Sequence, residues 1–113
     1  MLRKGNMTLG QFEQLVLLAV LHLEHKAYGV EIAAAIEERS GRSVSRSALY
    51  VTFDRLEAKD LLESHLQNAT ADRGGKMRRY VTVTPIGLQQ LRESRVALLE
   101  MWQGLESVLG EEA

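Results

Sequence analysis

The sequence contains no cysteine and only one proline. Without thiols the chain can form neither disulfides nor thiolate metal sites, and a reducing compartment is permitted. Its longest apolar run, residues 15–21, is far too short to span a bilayer. The first seven residues lack the apolar segment and the cleavage site of a secretory signal. We therefore expect a cytoplasmic protein that does not enter membranes.

Motifs of catalysis and of metal binding are also missing. The three histidines, His22, His25 and His65, are scattered, and the first two, although three residues apart, have no third metal ligand suggested near them. The sequence has no Ser-His-Asp motif, no metalloprotease motif and no Walker loop. We therefore predict a protein that is not an enzyme and that uses no metal or cofactor.

Charge is small in total but uneven along the chain. The formal net charge is −1, yet residues 39–84 carry nine basic and five acidic side chains, whereas both flanks are acidic. A local basic surface is what phosphate binding requires, because each neutralised phosphate releases counterions. An ordinary solvated surface would give the same distribution, and charge alone does not separate the two interpretations.

The 113 residues fit one domain, which we predict to begin with three helices. Apolar residues at helical spacing place these helices at residues 9–24, 29–40 and 46–59. Thr8 and Gln11 predict a capping box for the first helix, Gly41 a left-handed end for the second and Ser45 an N-cap for the third. The inward face of the first helix is predicted to contain Leu9, Phe12, Leu15, Val16, Leu18, Ala19 and Leu23.

A β-hairpin and a fourth helix are predicted to follow. Alternation over 62–67 and strand-forming residues over 80–84 indicate the two strands. The tip at residues 73–76 is basic and contains two glycines, so it could approach a DNA backbone closely; a flexible surface loop would have the same composition. Thr84 and Pro85 are typical of a helix start. The fourth helix then carries a heptad seam that favours a homodimer, with fraying expected beyond Gly104 and a disordered tail over residues 110–113. The seam residues are Leu88, Leu91, Arg95, Leu98, Trp102, Leu105 and Leu109.

The third helix has an outward face suited to nucleic acid. Arg46, Ser47, Tyr50 and Asp54, with Arg55 alongside, offer hydroxyls, guanidinium groups and an aromatic ring that can meet phosphates and base edges. A common amphipathic surface would look similar. The tight, glycine-containing turn between the second and third helices nevertheless gives the helix-turn-helix order, which favours DNA binding.

Three segments in this order resemble the PadR family of bacterial winged-helix transcriptional regulators, and the resemblance runs from about Thr8 to Leu109. The segments are residues 28–32, which open the second helix, residues 45–62, which resemble the recognition helix, and residues 73–87, which resemble the wing and the start of the fourth helix. Asp60 departs from the pattern, because the family usually has Gly there. Asp tolerates a left-handed cap less well than Gly but better than most residues.

The resemblance implies a mainly α fold with a small β-hairpin. Residues 1–84 would form a winged helix-turn-helix DNA-binding domain, and residues 85–113 a C-terminal dimerisation helix and tail, as in the short-tailed branch of the family. It also implies a homodimer in which the fourth helix packs on the partner's first and fourth helices. Such a dimer would bind a pseudo-palindromic operator in double-stranded DNA, usually as a repressor that a small molecule releases.

Candidate residues follow from the pattern and the resemblance together. For DNA binding they are Arg46, Ser47, Tyr50, Arg55, Arg73, Gly74, Gly75, Lys76, Arg78 and Arg79. For dimerisation they are Leu88, Leu91, Leu98, Trp102, Leu105 and Leu109. Some short-tailed members resemble multidrug sensors that hold flat aromatic compounds between tryptophans of the fourth helix, which makes Trp102 a candidate contact for a small aromatic effector as well as an interface residue. The main alternative is a winged-helix protein-interaction module without specific DNA binding, because fold does not dictate function.

Overall fold

The computed structural model describes residues 9–24, 27–67 and 78–110, in which four helices and two strands follow the predicted order. They are α1 (Gln11–Leu23), α2 (Gly29–Ser40), α3 (Arg46–Ala58), β1 (Leu62–Gln67), β2 (Arg78–Val83) and α4 (Pro85–Trp102). The predicted fold class, mainly helical with one antiparallel hairpin, is confirmed. Thr8, His25 and the hairpin tip with Arg73, Gly74, Gly75 and Lys76 lie outside the described residues.

Three helix ends are fixed by the residues that the sequence indicates. Ser45 Oγ accepts a hydrogen bond from the Ala48 amide at 3.1 Å, and Thr84 Oγ1 accepts one from the Gly87 amide at 3.0 Å. Gly41 ends α2 in the left-handed region, with φ 76°. These contacts satisfy backbone groups that a helix end leaves without an intrahelical partner.

The predicted start of α1 is wrong. Its N-cap is Gly10, whose amide donates a hydrogen bond to Glu13 Oε1 at 2.9 Å, so neither Thr8 nor Gln11 forms the cap. Glu13 is held in this position because its carboxylate also binds Lys59, 46 residues away, with Nζ–Oε2 at 2.9 Å. Because the Lys59 contact is distant in sequence, nothing at residues 8–11 indicates that Gly10 and Glu13 form the cap in place of Thr8 and Gln11.

The inward face of α1 is also rotated from the prediction. Leu18, expected in the core, is 43% exposed, whereas Leu17 and Val20 are buried. The core lies between α1, α2, α3 and the base of the hairpin, and α3 contributes Leu49, Phe53 and Leu56 to it. Its largest fully buried side chains are Phe53, Leu17, Ile32, Leu49, Leu56, Leu61, Val16 and Val81.

The hairpin pairs β1 and β2 antiparallel, from Leu62 opposite Val83 to Gln67 opposite Arg78. It is also attached to the segment before α2, since the Val81 amide donates to the Ala27 carbonyl at 3.1 Å. Because successive residues of a strand point to opposite faces, Arg78 and Arg79 lie on different faces of the hairpin.

The junction between α3 and β1 needs a left-handed residue, and Asp60 takes that conformation with φ 65°. The carbonyl of Asp60 accepts a hydrogen bond from Thr84 Oγ1 at 2.7 Å, which links this junction to the start of α4. Gly87 lies against the same junction, and a Cβ there would come within 2.4 Å of the Leu61 carbonyl oxygen. Asp60 therefore adopts a left-handed conformation that glycine would adopt more readily at this junction.

α4 ends earlier than the heptad pattern suggests. The helix stops at Trp102, and Gly104 follows with φ 89°, so Leu105 and Leu109 lie in turns and not on a continuous helical seam. The radius of gyration is 16.4 Å, above the roughly 13 Å of a compact domain of this length. This excess is consistent with the second half of α4, whose side chains are exposed, projecting from the core.

Candidate nucleic-acid interface

The first turn of α3 presents polar side chains to solvent. Arg46 and Ser47 are exposed directly after the Ser45 cap, whereas Leu49, one turn on, points into the core. Leu49 follows Ser47 by two residues, about 200° around the helix, so these two side chains lie on opposite faces. An exposed guanidinium and an exposed hydroxyl at a helix start are therefore free to reach a partner outside the protein.

A polar cleft of about 310 Å³ lies beside this turn. It is formed where the start of α2, the outer face of α3 and the start of β2 meet, and three predicted DNA-binding arginines border it. The lining residues are Tyr28, Gly29, Val30, Glu31, Arg46, Tyr50, Arg78 and Arg79. Three guanidinium groups and one carboxylate make the cleft suited to an anionic ligand.

Tyr50 is half-buried and crosses from α3 to the start of α2. Its ring packs edge-on against Phe53 with centroids 5.4 Å apart, and its hydroxyl lies over Gly29. A Cβ on Gly29 would be 2.6 Å from the Tyr50 hydroxyl oxygen, so glycine is needed for this close approach. Gly29 was predicted to begin a helix, but its close contact with the Tyr50 hydroxyl was not predicted from the sequence.

Arg78 lies over an aromatic ring on the outer face of the hairpin. Its guanidinium carbon is 4.3 Å from the centroid of Tyr28, which packs edge-on against Tyr80. Tyr80 in turn stacks on His65 with centroids 5.0 Å apart, and the Tyr28 hydroxyl donates to Gln67 Oε1 at 3.0 Å. The stacking holds Arg78 in place, and among the described residues no side-chain hydrogen bond uses its donors. Tyr28 was quoted in the family motif, but no role was predicted for it.

Arg79 faces the other way and is bound by the protein itself. Its Nε donates to Ser64 Oγ at 2.8 Å, and its Nη2 donates to Glu57 Oε2 at 2.6 Å and to Asp54 Oδ1 at 3.3 Å. The Ser64 hydroxyl donates to the same Glu57 oxygen. The hydrogen bond from Ser64 is the largest influence on the pKa of Glu57 and lowers it; Arg79 lowers it further, and together they outweigh desolvation. Arg79 therefore borders the cleft with Arg46 and Arg78, but its guanidinium is bonded to side chains of the protein.

Arg55 is exposed but lies away from the cleft. It follows Arg46 by nine residues, which is half a turn around the helix at 100° per residue. Its charge acts instead on Glu13 of α1. Burial alone would raise the pKa of the Glu13 carboxyl, but hydrogen bonds from Gly10 and Lys59 and the charges of Lys59 and Arg55 hold it below its usual value.

A second surface is apolar and belongs to α4 and α1. Of the predicted seam, Leu91 is buried, whereas Leu88, Leu98 and Trp102 are 41%, 50% and 50% exposed. Beyond the helix Leu105 and Leu109 are also exposed, at 43% and 44%, and Arg95 is exposed within the seam.

Between α1 and α2 a shallow groove of about 200 Å³ lies open. Its lining is mainly apolar and consists of Leu15, Leu18, Ala19, His22, Ala35, Ile36, Arg39 and Ser40. Exposed apolar side chains in this number on a small domain are typical of a protein contact.

The described residues contain neither a helix that could span a membrane nor a cluster of metal-ligating side chains. Within residues 9–24, 27–67 and 78–110, no helix is both long enough and apolar enough to cross a membrane. Over the same ranges, no three side chains of the histidine, aspartate and glutamate type come together as metal ligands would.

Similar proteins bear on the interpretation of the polar cleft that Arg46 and Arg78 border. The model of the transcriptional regulator PadR-like family matches residues 17–93, which include α2, α3 and the hairpin. The chain is similar to a PadR family transcriptional regulator from Eggerthella lenta, with 28% identity, a TM-score of 0.67 and coverage of 88% of this chain and 84% of the other. A PadR family regulator from Clostridium difficile gives 28% identity, a TM-score of 0.66 and coverage of 90% and 97%. A PadR-like regulator from Bacillus cereus, at 24% identity, shares the fold with a TM-score of 0.70 over 89% and 93% of the two chains.

Proposed function

We propose that this chain, which belongs to the PadR-like family of transcriptional regulators, acts in the cytoplasm as a homodimeric repressor that binds a pseudo-palindromic operator. The family is one of regulators, which agrees with the prediction that the chain is not an enzyme. The observation that carries the proposal is the polar cleft, where Arg46 of α3 and Arg78 of β2 converge beside the start of α2.

In this proposal the two arginines have different tasks. Arg46 and Ser47, exposed on the first turn of α3, enter the major groove and contact base edges or the phosphates beside them. Arg78, stacked on Tyr28, contacts a backbone phosphate, and the basic hairpin tip with Lys76 extends this contact along the duplex. Tyr50 supports the cleft from α3 and offers its hydroxyl to the same backbone.

The experiment that tests DNA binding is a titration of the purified protein against the DNA upstream of its own gene, with a random duplex of equal length as the control. Salt is varied from about 50 to 200 mM, because contacts to phosphate lose affinity steeply over that range. We expect tight binding to the upstream fragment alone, with two protomers per site. Equal, salt-sensitive binding to both fragments, or no binding, would favour the protein-interaction module instead.

The homodimer is proposed from the apolar surface of α4 and α1. In a second copy, the exposed seam residues Leu88, Leu98 and Trp102 would be covered by the same helix and by α1 of the partner, where Leu18 and Leu21 are exposed. Leu98→Glu should give a monomer in sedimentation velocity, because it places a charge in this contact. Ala97→Glu adds the same charge at the adjacent exposed position, away from the seam, and should leave the dimer intact. Equal behaviour of the two variants would contradict this interface.

The effector site is proposed at Trp102, which is 50% exposed at the last turn of α4. Two such residues in a dimer could hold a flat aromatic molecule between their rings. Because Trp102 is the only tryptophan of the chain, quenching of its fluorescence by a planar aromatic cation reports binding directly. Quenching that leaves DNA affinity unchanged would argue against an effector role for this site.

A further inference from the structure

Arg79 stands at the point where α3 and both strands of the hairpin meet. Its one guanidinium reaches Ser64 on β1 at 2.8 Å and two carboxylates on α3, Glu57 at 2.6 Å and Asp54 at 3.3 Å. The rings of Phe53 and Tyr50 lie beside it, with centroids 5.3 and 5.8 Å from the guanidinium carbon. A planar guanidinium with five donors can form several such bonds in a fixed geometry.

The α3 residues in this group form one strip along the helix. Tyr50, Phe53, Asp54 and Glu57 follow each other at spacings of three, one and three, which brings all four to the face that meets the hairpin. On the hairpin, Ser64 lies opposite Val81, two residues from Arg79 on the same face, so the two side chains are diagonal neighbours. The network therefore ties both strands to one face of α3.

Three properties argue against Arg79 as a contact to DNA. Its side chain is only 27% exposed, its Nε and Nη2 donors are already bonded, and two carboxylates lie close enough to offset its charge. Arg78 is also partly buried, but it lies on the opposite face of the strand and over the ring of Tyr28, and no carboxylate of the described residues pairs with it. The two adjacent arginines therefore have different roles.

We infer that Arg79 is a positioning residue, which sets the angle between the hairpin and α3 through Glu57 and Ser64 and so brings Arg46 and Arg78 to the spacing that one duplex requires. This inference rests on the proposed DNA binding. It assigns to Glu57 a favourable effect on DNA affinity, although a carboxylate near the DNA would by charge alone repel it.

Positioning and charge repulsion predict opposite changes of DNA affinity when the Glu57 carboxylate is removed, and this difference provides the test. Glu57→Ala and Glu63→Ala each remove one carboxylate from the DNA-binding domain. Glu63 is exposed on β1, where its carboxylate lies 3.8 Å from His65 Nε2 and is not one of the carboxylates that bind Arg79. We expect Glu63→Ala to leave affinity unchanged or to tighten it slightly. Glu57→Ala should weaken operator binding about tenfold, the equivalent of one charge-assisted hydrogen bond. If Glu57→Ala tightens binding as the control does, Arg79 acts on DNA directly and the inference is wrong.

The salt dependence distinguishes positioning from contact. Arg78→Gln should lower the slope of log affinity against log salt by about 0.9, because one phosphate contact is lost. Arg79→Gln should weaken binding at every salt concentration with the slope unchanged. Arg79→Lys keeps the charge but not the planar fork, and it should weaken binding nearly as much as Arg79→Gln. A reduced slope for Arg79→Gln, or full affinity for Arg79→Lys, would overturn the assignment.

A measurement without DNA keeps this inference separate from the proposed function. In the DNA titrations, active protein is first counted by stoichiometric titration, so that misfolded variants do not pass for weak binders; the exchange measurement needs no DNA. Amide hydrogen exchange in β1 and β2 should then be about tenfold faster in Glu57→Ala and Arg79→Lys than in wild type, and unchanged in Glu63→Ala. If the wild type binds no operator, the proposed function fails, but the exchange rates still test whether the contacts of Arg79 hold the hairpin against α3. Exchange as slow as in wild type would refute the positioning role.

Discussion

Replacing Lys59 by methionine tests the contact that joins the start of α1 to the end of α3. Lys59 Nζ donates to both oxygens of Glu13, at 3.1 and 2.9 Å, and the Glu13 side chain is only 7% exposed. Methionine keeps most of the aliphatic stem and removes the charge. The variant therefore leaves a nearly buried carboxylate with the Gly10 amide as its remaining hydrogen-bond donor among the described contacts.

The expected loss can be bounded. Breaking a fully buried ion pair costs about 3–5 kcal/mol, but water can partly replace an ammonium that is 37% exposed, so we expect about 2 kcal/mol at pH 7. With an unfolding entropy of about 2.1 cal/mol/K per residue, this lowers Tm by about 8 °C. Urea unfolding at one fixed protein concentration measures the loss, because the proposed dimerisation would make stability depend on concentration.

The pH dependence separates charge from packing. The pKa of Glu13 is lowered in the folded wild type, so its contribution is present above the unfolded value and is lost as pH falls through the folded one. In Lys59→Met burial remains without the ammonium, which raises that pKa and lets protonation relieve the carboxylate. The stability gap should therefore shrink between pH 7 and pH 4. A gap of equal size at both values would refute the electrostatic reasoning, and Glu13→Gln with Lys59→Met together should cost less than the sum of the two.

Three further predictions concern the backbone and the DNA contacts. Asp60→Gly should raise the free energy of unfolding by about 0.5–1 kcal/mol, because φ 65° is strained for a residue with a Cβ; a lower urea midpoint would mean that the Asp60 side chain is needed. Gly87→Ala should cost about 2 kcal/mol, because its Cβ would be 2.4 Å from the Leu61 carbonyl oxygen and 2.8 Å from Val83 Cγ1; an unchanged Tm would show that α4 can shift. Arg46→Ala should cost about 1–3 kcal/mol of operator binding and relax specificity, whereas Lys76→Ala should weaken all DNA alike and lower the salt slope by about one. Equal loss of specificity from both would contradict this division.

The parts of the fold that the sequence predicts correctly are those with local causes. Residues 29–40 and 46–58 carry their apolar stripes and caps within a few positions of each end, and the structure begins and ends these helices within one residue of the prediction. Asp60 was expected in a left-handed cap, and its φ of 65° confirms this. In each case a short-range preference and the tertiary packing agree.

The sequence predictions are wrong where a contact distant in sequence or a single glycine determines the local structure. Glu13 takes the capping role because Lys59 binds it across 46 residues. The leucine repeat continues to Leu109, but Gly104 turns with φ 89° and the helix has already ended at Trp102. For the site, composition identified a basic hairpin but could not separate Arg79 from Arg78. That distinction depends on which face of the strand meets α3.

The attachments of α1 have a consequence for the way the dimer could transmit a signal. Near its start, Glu13 is tied to the end of α3 through Lys59; just after its end, the Ala27 carbonyl is tied to β2 through the Val81 amide at 3.1 Å. A shift of α1 on the partner's helices would therefore carry α3 and the hairpin along as one rigid body. In the proposed dimer this movement would change the distance between the two DNA-binding domains, while each domain keeps its shape. An effector bound near α4 would then act on operator spacing, and the contacts within a half-site would stay the same.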